Sequence, residues 1–304
     1  MQFYLAPMEG VTGCIVRNAF KHHFVGIDRY FTPFIPMNCK LDKRTYRELS
    51  PENNQDIMLI PQLLSNDAAA VVEICAVLQG LGYDIVNINL GCPSGTVCSK
   101  ERGSGFLKNP EKLDRFFDEI FTNVGCKISV KTRIGFHSLD EWENILEVYA
   151  KYPFEELIIH PRLRNEFYNG EPHPDAFNKA VSVLKVPLCY NGDIVDEVSY
   201  KNICCRFPSV ERIMIGRGAI ANPGLIQELS GGEAVSDEQI WEWHNEILEG
   251  YIEIFSNERD VLFHLKEIWT YLGQTFSDKE KQLKIIKKAQ NLVDYKIAVK
   301  EILR

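Results

Sequence analysis

The chain has no C-x-x-C pair among its nine cysteines and no regular spacing between them. That excludes a zinc ribbon and a disulfide framework, and it fits thiols kept reduced in a cytoplasmic setting. No metal is expected. No apolar run approaches the length of a membrane span, and the opening MQFYLAPMEG carries neither a basic flank nor a long apolar core, so export and membrane insertion are not expected. A G-x-G-x-x-G fingerprint is also missing, which leaves no dedicated dinucleotide fold. Positive charge is short: 34 Lys and Arg stand against 42 Asp and Glu, a net charge of -8. A uniformly basic nucleic-acid binder is thereby excluded, but local patches can still steer a polyanion.

What the sequence does have is a repeat of short apolar runs with helical segments between them. The runs are Phe3 to Ala6, Tyr30 to Ile35, Ile57 to Leu63, Asp84 to Asn89, Lys127 to Thr132, Glu156 to His160, Val186 to Tyr190 and Arg212 to Gly216. Most begin about 25 to 30 residues apart, the length of one strand-helix unit with a right-handed crossover. Eight such units predict an α/β fold, a (β/α)8 TIM barrel, with its site in the loops at the carboxyl ends of the strands. Only the interval from the fourth run to the fifth is much longer, and its surplus is the loop from Cys92 to Gly105. The intervening helices carry their own signals. Asp67 to Leu81 is apolar at helical spacing, and Ser138 with Glu141 reads as a capping box ahead of the face Trp142, Ile145, Leu146, Tyr149.

The polar residues at the strand ends form one set. They are Pro7 and Met8, Gln62, Asn89 and Cys92, Lys131 and Arg133, His160 and Arg162, Asn191 with Gly192 and Asp193, and Gly216 with Arg217. A lone cysteine is more often an inert core residue, and a lone lysine or arginine a barrel or surface ion pair. Their recurrence at successive strand ends favours a site. Phosphate in such barrels often sits at the loops after the seventh and eighth strands, and an amide, a lysine and a histidine above it suit a flat heterocycle such as a flavin.

Residues 1–230 are therefore expected to form the barrel, and residues 236–304 a small all-helical domain opened by the capping box Ser236 and Gln239. The latter part shows three helical segments, about Asp237 to Phe255, Arg259 to Gly273 and Asp278 to Leu303. From Arg259 onward ten Lys or Arg stand against six Asp or Glu. Lys281, Lys284 and Lys288 share one helical face, with Leu283, Ile286, Val293 and Ile297 available for the other. Such a row is usually a solvated surface, but beside a polyanionic substrate it becomes a backbone-binding one.

The set LAPMEGVT, PQLL, NINLGCP, SVKTRIG, IIHPR, YNGDI and MIGRGAIANP, in this order, resembles the tRNA-dihydrouridine synthases, and FHLKEIWTYLG resembles the helical tRNA-binding domain of their bacterial members. The resemblance implies an FMN-dependent enzyme that reduces the 5,6 double bond of particular tRNA uridines, with NADPH as reductant. By that likeness Pro7, Met8, Gln62, Lys131 and His160 contact the flavin ring or ribityl chain, and Asn191, Gly192, Asp193, Gly216 and Arg217 hold its phosphate end. Cys92 matches the catalytic cysteine, and Asn89, Arg133 and Arg162 fall near the target base. Lys281, Lys284 and Lys288 become tRNA contacts, and a monomer is expected.

Two rivals share parts of this pattern. One is an FMN barrel that reduces a free pyrimidine or related small molecule, which has no need of the helical extension. The other is a flavin-containing tRNA-binding or tRNA-folding protein with little turnover, which has no need of Cys92.

Overall fold

The structure, a computed structural model, describes residues 1–36 and 41–304. Its strands are β1 (Gln2–Leu5), β2 (Arg29–Phe31), β3 (Ile35–Pro36), β4 (Leu59–Ile60), β5 (Gln62–Leu64), β6 (Ile85–Leu90), β7 (Lys127–Arg133), β8 (Glu156–His160), β9 (Leu188–Tyr190) and β10 (Arg212–Ile215). All pairings are parallel, in the order β3-β5-β6-β7-β8-β9-β10-β1-β2-β4.

The two ends of that order are halves of continuous strands. β2 and β3 are two pieces of one strand, as are β4 and β5, so β2 pairing β4 and β3 pairing β5 close an eight-strand ring. The break has a local cause. Pro61 has no N–H for the ladder, and beside it the Thr32 hydroxyl accepts the Gln62 N–H at 2.9 Å. The expected (β/α)8 barrel is the observed fold, and each of the eight expected runs overlaps a strand.

The strands are apolar because both faces are covered, by the barrel interior and by the outer helices. Helix Ala68–Gly80 is capped by Asp67, whose carboxylate accepts the Ala70 N–H at 3.1 Å. The expected box at Ser138 does not form. Helix Glu141–Tyr149 begins after Asp140, and the Glu141 carboxylate turns back to the N–H groups of Phe136 and His137, not to that of Ser138. The box at Ser236 does form, with Gln239 as its partner.

Beyond the barrel lie four helices, Asp237–Ile254, Glu258–Leu272, Glu280–Lys288 and Leu292–Leu303, where three segments were expected. The last segment breaks at Ala289, and Asn291 caps a fresh helix by accepting the Asp294 N–H at 2.9 Å. The break resets the register. Ile286 is buried as expected, but Val293 and Ile297 are exposed, and Tyr295, Ala298, Val299, Ile302 and Leu303 face inward instead. The first of the four helices packs on the first barrel helix, Cys14–His23, with Trp243 against Phe20 and Phe24 at ring-centroid distances of 5.2 and 6.1 Å. One apolar cluster runs from the barrel's outer layer into these helices. Among the described residues no helix is long and apolar enough to cross a membrane.

Candidate active site

At the carboxyl ends of the strands lies a cavity of about 610 Å³, inside the ~300–1,000 Å³ range of small-molecule sites. Its walls include Pro7, Met8, Gln62, Asn89, Cys92, Lys131, Arg133, His160, Asn191, Gly192, Asp193, Gly216 and Arg217, which brings together every barrel residue singled out in the sequence except Arg162. Arg162 is fully buried behind the wall, where it donates to both carboxylate oxygens of Asp193 and to the Gly170 carbonyl. Lys281, Lys284 and Lys288 lie exposed on helix Glu280–Lys288, and Lys284 pairs with Glu280 at 2.9 Å.

One side of the cavity is a relay of neutral amides. Asn87 donates to the Ser129 hydroxyl at 2.9 Å and accepts from Gln62 at 2.9 Å, and Gln62 in turn accepts from Asn89 at 2.8 Å. The oxygen of Asn89 then accepts the N–H groups of Gly91 and Cys92 at 3.0 and 2.9 Å. Each amide is thus fixed in orientation, and the cysteine turn is tied to the strand below it. An amide nitrogen carries two hydrogens. The relay uses one each from Gln62 and Asn89, so both keep a donor for the cavity they line.

The loop after Cys92 is anchored to the same turn. The Cys92 carbonyl accepts from the Ser104 hydroxyl at 2.8 Å and the Ser104 N–H at 3.1 Å. Gly103 allows this at φ +55, where a Cβ would stand 2.9 Å from that carbonyl oxygen. Burial pushes the Cys92 thiol up, against the N–H of Ser94 and the charges of Arg133 and Lys131, so the sulfur holds its proton at neutral pH.

The opposite side is cationic. Lys131 is lowered to about 8, first by burial and then by Arg133. Arg133 is fixed by carbonyls, donating to Gly91 at 3.0 Å and Leu163 at 2.7 Å, and also to Phe167. Burial, followed by Arg133, Lys131, Arg162 and Arg217, drives His160 well below its ordinary range, so it is neutral. Its Nε2 faces an Arg162 N–H at 3.1 Å, and because arginine can only donate, that nitrogen accepts and Nδ1 carries the proton. Burial works against the charge of Asp193, but Arg162 and Arg217 hold its carboxyl below the usual range. Gly218, next to Arg217, passes so close to β9's exit that a Cβ would stand 2.2 Å from the Ile194 carbonyl oxygen.

Residues that strand-end reasoning missed complete the mouth. Tyr168 stacks on His160 at 6.0 Å, with Arg133 and Arg217 at 5.2 and 4.7 Å from its ring. Glu267, Tyr271 and Gln274 reach the cavity from the C-terminal helices. Only FHLKEIWTYLG, which contains two of these, marked that region in the sequence.

Residues 4–302 match the dihydrouridine synthase family. The tRNA-dihydrouridine(16) synthase of Pseudomonas putida is 31% identical over 254 residues, covering 81% of this chain and 78% of that protein. The tRNA-dihydrouridine(16) synthase of Shigella flexneri is 27% identical over 323 residues, covering 99% and 98%. Among solved structures, morphinone reductase superposes with a TM-score of 0.54 at 12% identity over 78% of this chain and 87% of its own, a likeness of fold. The motifs, the closed barrel and a match across nearly the whole length agree, and the chain belongs to the dihydrouridine synthase family.

Proposed function

We propose that this protein is a tRNA-dihydrouridine synthase that binds FMN, takes its reducing equivalents from NADPH, and reduces the 5,6 double bond of a uridine extruded from tRNA. The observation that carries the reading is the Cys92 thiol on the rim of a cavity whose amide and cationic walls suit a flavin. The fit rests on the donors present. Gln62 and Asn89 each keep an amide N–H, Lys131 adds a cation, and the turns at Gly192 and Gly216 let backbone approach a phosphate beside Arg217. Pro7, Met8, Gln62, Lys131 and His160 would hold the ring and ribityl chain, and Asn191, Gly192, Asp193, Gly216 and Arg217 the phosphate end. Bound FMN supplies hydride chemistry at carbon 6 of the uracil.

The protein's own residues do the rest. Cys92 Sγ carries the proton that carbon 5 receives, and a thiol kept protonated at neutral pH suits a general acid. Lys131 and Arg133 offset the negative charge that develops at the uracil carbonyl before that proton arrives. Asn89 fixes the position of Cys92 through its N–H. Arg162 acts from behind the wall, orienting His160 and Asp193. The base reaches this depth only when extruded, at a cost of a few kcal/mol in stacking. Residues 236–304 form the domain that offsets this cost by holding the tRNA, with Lys281, Lys284 and Lys288 facing its backbone and the enzyme acting as a cytoplasmic monomer.

The test is incubation of flavin-loaded protein with NADPH and unmodified tRNA transcripts, followed by mapping of dihydrouridine by position. The relatives from Pseudomonas putida and Shigella flexneri carry position 16 in their names, so position 16 is the uridine expected to be reduced. Flavin binding without tRNA reduction, or turnover of a free pyrimidine, would overturn the reading.

A further inference from the structure

Outside the cavity, on the same end of the barrel, two cations dock on one aromatic ring. Lys108 Nζ lies 3.9 Å from the centre of the Phe136 ring, and the Arg164 guanidinium carbon lies 5.1 Å from it. Arg164 also lies 4.9 Å from the ring of Phe167, which is 41% exposed. Neither cation has a carboxylate within ion-pair distance among the described residues, and neither side chain donates a hydrogen bond to the protein. The nearby carboxylates are engaged elsewhere: Glu101 with Lys112 at 2.7 Å, Glu166 with His173 at 2.6 Å, and Glu141 with backbone N–H groups.

A solvated lysine usually samples many positions and gains little from a single neighbour. Here one ring positions two cations that no carboxylate neutralises, a pair of positive charges left available to an anionic ligand. The place is also informative. Phe167 precedes Tyr168 in the cavity mouth, and its carbonyl accepts from Arg133 in the cavity wall. Phe167 holds a φ of +54, a conformation that non-glycine residues rarely adopt, and this turn carries its carbonyl to Arg133. Lys108 follows the Cys92 loop, Phe136 follows β7, and Arg164 follows β8. Glu267, Tyr271 and Gln274 enter the cavity from the C-terminal helices instead.

We propose that Lys108, Phe136, Arg164 and Phe167 form a phosphate-binding surface for the tRNA backbone on the barrel itself, separate from the lysine face of the C-terminal helices. The surface rests on the tRNA-reducing reading above. With it the polynucleotide is gripped by the barrel rim as well as by the helices, and the extruded base descends between the two. Fixed cations supply such contacts, and the exposed Phe167 offers a face on which a neighbouring base can stack.

The test is tRNA binding to the flavin-loaded protein across a salt series, with dihydrouridine formation measured alongside. Lys108→Ala/Arg164→Ala is expected to weaken binding about tenfold at low salt. It should also flatten the salt slope by roughly 1.4 to 1.8, the loss of two phosphate contacts, while turnover at saturating tRNA stays near that of the parent. Lys108→Glu, at an exposed position that cannot unfold the barrel, should weaken binding further than Lys108→Ala, and Lys108→Arg/Arg164→Lys should bind like the parent. Unchanged affinity and slope in both Lys108→Glu and the double alanine variant would overturn the surface while leaving the enzyme's activity in place. A parent protein that neither binds nor reduces tRNA would overturn the functional reading, and the surface with it.

Discussion

The barrel carries buried charge at both ends, and the two ends are built differently. At the floor, Glu156 is fully buried and surrounded by its partners: the Tyr4 hydroxyl at 3.0 Å, Arg29 at 2.9 Å and Arg212 at 3.9 Å. At the mouth, Lys131, Arg133, Arg162 and Arg217 gather round a neutral His160, and Asp193 pairs with two of them, while Glu9, which also lines the cavity, is paired outward with Arg44 and Glu267 reaches in from the C-terminal helices. A closed network needs nothing further, whereas a surplus of cations invites an anionic ligand. The floor serves stability and the mouth serves chemistry, as expected of a fold whose active site is confined to one end.

The comparison is sharpest for Cys92 and Glu156. Cys92→Ala removes the proposed proton donor and leaves the amide relay intact, because the relay holds this residue by its N–H and not by its sulfur. Dihydrouridine formation should fall by roughly 10²–10⁴-fold with flavin content and thermal midpoint unchanged. A smaller fall, measured by single-turnover reduction of bound tRNA, would remove Cys92 from the chemistry. Glu156→Ala should do the reverse. It leaves Arg29 buried without its carboxylate and should cost about 3–5 kcal/mol in denaturant unfolding. If the folded fraction retains parental flavin affinity, the division between floor and mouth holds.

Much of this was legible in the sequence, for identifiable reasons. A buried parallel strand is largely apolar, so eight short runs at regular spacing marked the barrel, and the residues at or just past the ends of seven of them marked the cavity wall. Side chains that enter the site from farther along the chain left no such sign. Tyr168 lies eight positions past His160, in a loop whose direction is set by the positive φ of Phe167. Glu267 and Tyr271 arrive from helix Glu258–Leu272, which follows the helix that Trp243 seats against Phe20 and Phe24. Arg162 shows the converse limit. Its place after a strand was readable, but its commitment to Asp193 behind the wall depends on a turn 31 residues away.

The C-terminal helices contain a polar knot of their own, which extends the contrast to a third interior. The Trp269 N–H donates to the Tyr295 hydroxyl at 2.8 Å, and that hydroxyl in turn donates to His244 Nε2 at 2.6 Å, so protonating Nε2 would break this chain. Burial lowers its pKa from the ordinary 6.5 to about 4. The unfolded chain therefore binds the extra proton first as pH falls. The stability due to this group is fully present above about 6.5, declines between 6.5 and about 4, and is gone below that. The loss is about 3 kcal/mol. Unfolding curves of the parent and His244→Gln should converge or cross within this window. Parallel curves would show that the knot is not under such strain.

The smallest effect expected is at Lys131, and it reads the mouth directly. Burial and the neighbouring Arg133 lower this lysine to about 8, so in the ligand-free protein it is charged below that pH and increasingly neutral above it. An anionic ligand favours the charged form and moves the transition upward. If the mouth works through its cationic surplus, flavin affinity should weaken once pH passes about 8 or somewhat higher, by at most tenfold per unit. Lys131→Arg keeps its charge throughout that range and should flatten the profile, whereas Lys131→Met should be weak and flat from the start. A parent profile that stays level from pH 7 to 10 would mean that the amide wall alone holds the ligand, and that the cations at the mouth serve the uridine or the tRNA backbone.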